Sequence, residues 1–409
     1  MRVLHVLHSS LPLVSGYSLR SSQILRHQRR LGMEIRAVTS AQHPGGSEPR
    51  EYVDEIEHLR TPCYRGPAWP VWREWRLMRR LERQVERAAD EWGPDVIHAH
   101  SPVLVGWPAS CAARRRGLPF VYEVRDLWEN ASVDRGRFAY GSALYRAARW
   151  LDSRVLSRAD AVVTICHALR EELSPRVGSA VLHVVPNGVD VEAFSPRVPA
   201  EATRLRHGLQ DRHVVLYAGS FQPYEGLGLL VEALPRILAR VPNAHLVIVG
   251  GSTASGSAEG STQGTQEEVL ARLIAGLGLE RHVTLTGRIP HDEVGDFYTL
   301  AEVVAYPRLR TPTTVLTTPL KPLEAMAMGR AVVVSDLPPM RELVRERETG
   351  LVFPAGDVRA LADRCIEVLA SPGLRERLGA EARSFVVAER QWAGLVASYG
   401  DIYGALCKS

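Results

Sequence analysis

The sequence predicts an α/β protein with two doubly wound parallel-sheet domains that face each other across a cleft. Short apolar runs alternate with helix-length segments along the whole chain, and these runs fall into two series. Strands that are apolar on both faces and separated by helices form parallel sheets covered by helices. The length of 409 residues also exceeds what one hydrophobic core usually supports.

The first domain is predicted over residues 1–190 and the second over residues 191–386. Six apolar runs predict the strands of the first domain, at 2–7, 34–40, 96–100, 120–125, 161–166 and 181–187. Five runs predict those of the second, at 213–220, 244–251, 283–288, 302–307 and 331–336. The boundary lies in 186–201, where Pro, Gly and Asn cluster. Residues 387–409 are predicted to form a helix that packs back on the N-terminal domain.

Composition narrows the class of protein. The net charge of +4 is too small for a dedicated nucleic-acid binder, which would carry a concentrated basic face. The five cysteines are scattered and never in C-x-x-C spacing, so neither a disulfide framework nor a zinc site is predicted. The apolar start is short and interrupted by His5 and His8, which predicts a first strand and not a signal peptide. We expect a cytoplasmic protein without a membrane span.

Lys321 is one of only two lysines in a chain with 50 Lys and Arg residues. It lies three residues before Glu324, at the start of a predicted apolar helix that Thr318 can cap. Ligands of open α/β sheets bind beyond the carboxyl ends of the strands, so this helix start should border the cleft. Free amides and an ammonium suit phosphates, and a carboxylate suits a ribose diol. The alternative is a first-turn glutamate favoured by the helix dipole and paired with a lysine.

Residues 65–92 predict a basic amphipathic helix with an aromatic lead-in. Leu77, Leu81, Val85, Ala88 and Trp92 form an apolar stripe at helical spacing, with arginines around it. Such a helix can lie on anionic lipid at the inner membrane face, which would suit a lipid-linked substrate. The alternative is that the stripe is the core-facing side of a solvated helix.

Several stretches resemble the family 4 retaining glycosyltransferases, which have the GT-B fold of two Rossmann-like domains. They include "HVVPNGVDVEAFSP", "LEAMAMGRAVVVSD" and "GLVFPAGD". The stretches "VYEVRDLWENASVD", "GSFQPYEGLGLLVEAL" and "YPRLRTPTTVLTTPLKPLEAMAMG" are most similar to the subgroup associated with exosortase and exopolysaccharide loci. The resemblance covers nearly the whole chain.

The resemblance implies a donor site in the second domain. Glu324 matches the second glutamate of the family's paired-glutamate motif, which holds the donor ribose. Gly16, after the first strand, matches a glycine that lets backbone approach the phosphates. The full set of implied donor-binding residues is Gly16, Gly219, Ser220, Arg288, Arg308, Leu316, Thr317, Thr318, Leu320, Lys321 and Glu324.

Two departures from the family pattern affect this site. The first glutamate of the pair should fall eight or nine residues before Glu324, where the chain has Leu316 or Val315. The Arg and Lys that many members place after the first strand of the second domain are Ser220 and Glu225 here. The cations available for the diphosphate are then Lys321, Arg288, Arg308 and Arg310.

The resemblance also implies an acceptor side in the first domain. Its candidates are His100, at the end of one predicted strand, and Glu123, Arg125 and Asp126, at the end of the next. Asp126 or Glu123 could serve as a general base. The alternative is that Arg125 pairs with one of these acids as a structural bridge and that His100 is a satisfied strand-end histidine.

The resemblance implies a retaining, metal-independent transferase that needs no cofactor. Its donor would be a UDP- or GDP-sugar, and its acceptor a glycan, a lipid-linked or a small molecule, in exopolysaccharide or secondary-metabolite synthesis. One alternative is a non-catalytic nucleotide-sugar-binding partner protein, which the missing first glutamate favours. A GT-B sugar-nucleotide epimerase and a phosphorylase are further alternatives, less favoured by the quoted motifs.

Overall fold

The computed structural model describes residues 1–43, 48–62, 72–252 and 265–407. These residues belong to two compact units. The first comprises 1–187 together with 392–409, and the second comprises 188–391.

An eight-stranded sheet forms the centre of the first unit. Its strands are β1 (Arg2–Leu7), β2 (Glu34–Thr39), β3 (Arg50–Val53), β4 (Ile56–Arg60), β5 (Val96–His100), β6 (Phe120–Val124), β7 (Ala161–Thr164) and β8 (Val181–Val184). They lie in the order β3-β4-β2-β1-β5-β6-β7-β8, and every pair is parallel except the antiparallel pair β3–β4. The carboxyl ends of β1, β5 and β6 therefore meet at one edge.

Seven helices lie among the described residues of this unit. They are α1 (Gly16–Arg30), α2 (Trp72–Trp92), α3 (Val103–Arg116), α4 (Trp128–Asp134), α5 (Ala143–Leu156), α6 (His167–Leu173) and, at the end of the chain, α15 (Trp392–Cys407). Helix α1 begins with a capping box in which Ser15 and Ser18 satisfy each other's backbone amides. Helix α15 packs against α1.

The second unit has a six-stranded, wholly parallel sheet in the order β11-β10-β9-β12-β13-β14. Its strands are β9 (His213–Ala218), β10 (Ala244–Val249), β11 (Val283–Gly287), β12 (Val303–Tyr306), β13 (Ala331–Ser335) and β14 (Leu351–Phe353). All but β11 are buried almost throughout, as strands with helices on both faces should be.

Eight helices in the described part of the second unit accompany its sheet. They are α7 (Glu201–Arg206), α8 (Leu227–Leu238), α9 (Gln266–Gly276), α10 (Val294–Leu300), α11 (Lys321–Ala327), α12 (Pro338–Arg341), α13 (Val358–Ala370) and α14 (Pro372–Glu389). A 3-10 turn, Pro223–Glu225, connects β9 to α8. This turn and the start of α11 carry the charged residues of the candidate site.

The prediction of two parallel-sheet α/β domains is confirmed. The sequence reasoning missed the hairpin β3–β4 and the short strand β14. The hairpin segment "REYVDEIEHLR" is rich in charge, and β14 has three residues, so neither looks like a buried apolar run.

The apolar stripe of α2 is the core-facing side of the helix. Leu77, Leu81, Val85 and Ala88 are buried, whereas Trp72 and Trp75 near the helix start are 61% and 47% exposed. The preceding lead-in with Trp69 lies outside the described residues. Every helix in the described part of the chain is too short or too polar to cross a bilayer.

Candidate functional site

Lys321 is the first residue of α11, and its ammonium lies at the carboxyl edge of the second sheet. The cap residue is Leu320, which makes no side-chain cap bond, so the prediction that Thr318 caps this helix is wrong. Pro322 does occupy the first turn, where a residue without an N–H costs nothing. The lysine side chain is 19% exposed.

Three groups hold the Lys321 ammonium. Its Nζ donates to the Tyr217 hydroxyl at 2.8 Å and to the Ser220 carbonyl at 3.5 Å, and it lies 3.4 Å from Glu225 Oε1. Burial lowers the pKa of Lys321 from its ordinary value of 10.5, while the charge of Glu225 acts in the opposite direction. The Lys321 side chain therefore crosses from α11 to the loop that follows β9.

Gly219 makes this crossing possible. Its φ of +154° is open to glycine, and a Cβ at this position would overlap Cε and Nζ of Lys321. The next strand end is as tight, because a Cβ on Gly250 would overlap the carbonyl of Gly219. The implied donor residues Gly219 and Ser220 thus contact Lys321 directly.

Glu225 and Arg308 are more deeply buried than Lys321. Both are buried, with Glu225 Oε2 at 3.8 Å from Arg308 Nε. Neither of these two atoms has a hydrogen-bond partner among the described residues. Burial acts to raise the pKa of Glu225, but Lys321 and Arg308 outweigh it, so the pKa is lowered and the group is a carboxylate. Sequence reasoning noted Glu225 only as a departure from the family pattern.

Glu324 lies one helical turn further along α11 and is 13% exposed. Tyr298 donates to its Oε2 at 3.1 Å, and His291 Nε2 lies 3.5 Å from its Oε1. The hydrogen bond to Glu324 raises the pKa of His291. Tyr298 and His291 were not predicted. His291 lies in the stretch "RIPHDEV".

The other implied donor residues are spread around this group. Arg308 Nη1 donates to the Thr317 carbonyl at 2.9 Å, which ties it to the loop of Leu316, Thr317, Thr318 and Leu320. Arg288 is exposed and lies against Gly251, after β10. Gly16 is the first residue of α1 in the other unit.

Two further positions from the family comparison have contacts of their own. Arg310, one of the cations named for the diphosphate, donates to the Asp336 carbonyl at 3.2 Å. Val315, where a first motif glutamate could have stood, packs against the apolar core of the second unit.

In the first unit, Glu123, His100 and Arg125 are buried in one polar network. Glu123 Oε1 accepts from Arg20 Nε at 3.0 Å and from Arg125 Nε at 2.7 Å, and Tyr399 of α15 donates to Oε2. Burial acts to raise the pKa of Glu123, but Arg20 and Arg125 outweigh it and hold the pKa well below the ordinary value. These contacts fit the structural-bridge alternative for Arg125.

The histidines of this network lie in a ring of polar contacts, most of which are hydrogen bonds. Because Arg125 can only donate, His100 Nδ1 accepts from it at 2.5 Å, and His100 Nε2 then donates to His5 Nδ1 at 2.9 Å. His5 Nε2 donates to Gln28 Oε1 at 2.7 Å. Burial lowers the pKa of both histidines well below 6.5, so both rings are neutral.

The ring closes through α15 and β5. Gln28 Nε2 donates to the Tyr403 hydroxyl at 2.9 Å, and Tyr403 donates to His98 Nδ1 at 2.6 Å. His98 Nε2 then faces Glu123 Oε2 at 3.5 Å. Donor and acceptor roles are consistent along these hydrogen bonds, but His98 Nε2, the atom that faces Glu123, has no hydrogen-bond partner among the described residues.

His5, His98 and His100 are also the one trio of described residues close enough to share a metal ion, with candidate ligand atoms within 4.8 Å of one another. Five of their six imidazole nitrogens are hydrogen-bonded, and two guanidinium groups lie beside them. A cation would have to break these bonds next to two positive charges. The trio is therefore read as a polar core and not as ligands.

Asp126 differs from the other three acceptor-side candidates. It is half-buried, and Ser101 Oγ donates to its Oδ1 at 3.3 Å. Burial raises the pKa of Asp126 above its ordinary value of 3.8. Of the four candidates, Asp126 is the one whose side chain is not fully buried.

Comparison with known proteins identifies the family. Residues 15–188 match the family described as glycosyl transferase 4-like domain, and residues 200–385 match glycosyl transferases group 1. The GDP-mannose-dependent α-(1-6)-phosphatidylinositol monomannoside mannosyltransferase of Mycobacterium tuberculosis is 30% identical over 77% of this chain and 84% of its own length. Its counterpart in Mycolicibacterium smegmatis is 32% identical over 62% of this chain, and the match spans 64% of that relative. The glycosyltransferase EpsD of Bacillus subtilis is 25% identical over 92% of this chain and 90% of its own length.

Solved structures share the architecture. Sucrose-phosphate synthase of Thermosynechococcus elongatus superposes with a TM-score of 0.80 at 21% identity, covering 99% of this chain and 98% of that one. Anabaena HepE in complex with UDP-glucose superposes with a TM-score of 0.75 at 18% identity, covering 99% and 100%. The chain therefore belongs to the group 1 glycosyltransferases with a glycosyltransferase 4-like domain, and it is a glycosyltransferase of the GT-B type.

Proposed function

We propose that the chain is a retaining glycosyltransferase that moves a sugar from a UDP- or GDP-sugar to a glycan, lipid-linked or small-molecule acceptor. The observation that carries the proposal is the Lys321 ammonium, which lies partly exposed at the carboxyl edge of a parallel sheet, where such sheets bind ligands. The names of the relatives support a nucleotide-sugar donor: the mycobacterial enzymes are GDP-mannose-dependent, and HepE was solved with UDP-glucose.

In the proposed reaction, the bond between the anomeric carbon and the diphosphate oxygen breaks while the acceptor oxygen attacks the same face. The acceptor hydroxyl proton leaves for the departing phosphate or for a protein base. Negative charge grows on the diphosphate, and Lys321 is the preorganised cation that stabilises it. Because the acceptor oxygen bonds on the face from which the diphosphate leaves, the configuration at the anomeric carbon is retained without a protein nucleophile.

Glu324 is proposed to bind the ribose of the donor. Its carboxylate is partly exposed, and it shares a helix face with Lys321, three residues earlier. Its Oε2 already has a donor in Tyr298, so Oε1, beside His291, is the oxygen offered to a hydroxyl. Phosphate and ribose would then be held by neighbouring residues of one short helix.

A non-catalytic nucleotide-sugar-binding protein is the second candidate function. The observation that favours it is the pair Val315 and Leu316, which place apolar, half-buried side chains where the family's first glutamate would stand. Under our proposal, the backbone of residues 316–320 contacts the sugar in place of that carboxylate. A Val315→Glu variant should therefore change activity little. Activity that appears only after this substitution would favour the non-catalytic alternative.

On the acceptor side we propose Asp126 as the general base. Support comes from the partial exposure and the raised pKa of Asp126, whereas Glu123 is buried and hydrogen-bonded. We also propose that the exposed Trp72 and Trp75, with the neighbouring arginines of α2, bring the protein to the inner face of a membrane that holds a lipid-linked acceptor. The lipid substrate in the mycobacterial relative's name and the likeness to EpsD support a role in exopolysaccharide or glycolipid synthesis.

The proposal is tested by a thermal-shift screen against UDP-, GDP- and dTDP-sugars, followed by a transfer assay with the stabilising donor. We expect one nucleotide class to raise Tm and to support hydrolysis or transfer with retained anomeric configuration, also in the presence of EDTA. Tight binding without turnover on any donor and acceptor would favour the non-catalytic alternative. No stabilisation by any nucleotide would contradict both.

A further inference from the structure

Glu225 takes no part in the site as the family resemblance describes it, yet it is the one carboxylate in contact with the Lys321 ammonium among the described residues. Its Oε1 lies 3.4 Å from Lys321 Nζ, and its side chain is 6% exposed against 19% for the lysine. The carboxylate therefore lies deeper than the ammonium. A ligand that approaches from solvent meets the positive charge first.

A buried lysine needs such a partner to remain charged. Removing an ammonium from water favours its neutral form, and burial is the largest influence on Lys321. The groups that face the ammonium are Glu225 from the β9–α8 turn, Tyr217 from β9, Arg308 after β12 and Glu324 on its own helix. Of these, Arg308 also disfavours the charged lysine, and Glu225 is the nearest group that favours it.

Glu225 does not depend on Lys321 alone. Its Oε2 has no hydrogen-bond partner among the described residues, and it lies 3.8 Å from Arg308 Nε, which has none either. A small movement would close this gap to a hydrogen bond. Lys321 can therefore turn towards a ligand while Glu225 stays paired with Arg308.

We propose that Glu225 is a positioning residue of the donor site, whose buried carboxylate keeps the Lys321 ammonium charged and aimed at the diphosphate. This inference rests on the proposed function, in which Lys321 binds the donor phosphates. Glu225 itself touches no substrate. Many family members have cations in the loop after the first strand of this unit. Here that loop carries Glu225 instead, and its negative charge acts on the diphosphate through Lys321.

The test is the pH dependence of UDP and GDP affinity, measured by isothermal titration on the full chain between about pH 7 and pH 9.5. In the wild type, we expect affinity to change little until the upper end of this range. In Glu225→Gln the lysine loses its proton at lower pH, so affinity should fall about tenfold for each pH unit above the lowered pKa. The matched control is Glu302→Gln, a carboxylate at the other end of β12 that pairs with His213 at 2.6 Å. It should keep the wild-type profile.

A rescue separates charge control from a merely structural role. A guanidinium does not lose its proton in this range, so the double variant Glu225→Gln/Lys321→Arg should bind with a flat pH profile. If Glu225→Gln does not fold, Glu225→Asp keeps the charge at a greater distance and should show an intermediate profile. A Glu225 variant that folds and keeps the wild-type profile overturns the inference while leaving the donor site intact. Absence of nucleotide binding in the wild type instead overturns the proposed function, and this inference with it.

Discussion

Two charged groups lie at the carboxyl ends of parallel strands, one around Glu123 in the first unit and one around Lys321 in the second. Around Glu123, both carboxylate oxygens accept hydrogen bonds, and Glu123, His100 and Arg125 are buried. Around Lys321, the ammonium and Glu324 are partly exposed, and Glu225 and Arg308 retain atoms without hydrogen-bond partners among the described residues. The sheet edge is the same in kind, but the exposure of the charged side chains differs.

This difference separates structure from binding. A buried polar network whose charged groups are paired with one another specifies one packing arrangement and offers little to a ligand that comes from solvent. A group with exposed charge and unmet hydrogen bonds gains from a ligand that supplies the missing partners. The first group therefore anchors α15 to the first sheet, and the second is the candidate donor site.

The largest expected effect is on stability, from Glu123→Gln. Loss of this charge leaves Arg20 and Arg125 buried without a carboxylate, so the free energy of unfolding should fall by about 3–5 kcal/mol. Chemical denaturation measures it, with Glu172→Gln as control, since its surface pair with Arg149 should be worth about 0–1 kcal/mol. Wild-type stability with lost transfer activity would instead make Glu123 a catalytic residue and break the comparison.

Asp126→Asn should act on rate and leave stability nearly unchanged. Loss of a general base lowers kcat by about 100-fold or more, while nucleotide affinity stays the same because Asp126 is proposed to act on the acceptor hydroxyl and not on the nucleotide. In the wild type, activity should fall as the pH drops through the raised pKa of Asp126, at higher pH than for an ordinary aspartate. A variant with full kcat and the same pH profile would remove Asp126 from the mechanism.

Lys321→Ala and Glu324→Ala should each weaken nucleotide binding by about 10- to 100-fold, the contribution of a charge-assisted hydrogen bond. Isothermal titration measures this loss, and circular dichroism checks that the fold is kept. Arg236→Ala is the matched control, because Arg236 lies in the last turn of α8 and its exposed side chain pairs with Asp363. Unchanged affinity in both variants would refute the donor-site assignment.

Mild acid should give the smallest effect. The ring histidines have lowered pKa values in the folded protein, so the unfolded chain binds protons first as the pH drops below 6.5. The stability that the neutral ring contributes is complete above pH 6.5 and is lost below it. Between about pH 7 and pH 6 we expect Tm to fall by a few degrees. In the variant His5→Gln, part of this fall should disappear; an unchanged slope would mean that other groups cause it.

The strand pattern alone predicted both sheets, because a strand buried on both faces needs apolar residues throughout and helices on either side. Lys321 and Glu324 could also be singled out from a local pattern, because the sequence itself shows a rare lysine and a glutamate together at one predicted helix start. The charge-rich hairpin β3–β4 was not predicted, since the antiparallel edge of a sheet does not require a continuous apolar run.

The sequence by itself could not decide which acidic side chains are partly exposed and which are buried and hydrogen-bonded. Glu123 and Asp126 stand three residues apart and looked equivalent, yet one accepts bonds from Arg20 and from Tyr399, far away in the chain, and the other remains half-buried. Glu225 and Lys321 likewise meet only because β9 and α11 end at one edge of the sheet. Burial, pKa and hydrogen-bond satisfaction depend on such contacts between distant segments, so they are properties of the folded chain and not of any local pattern.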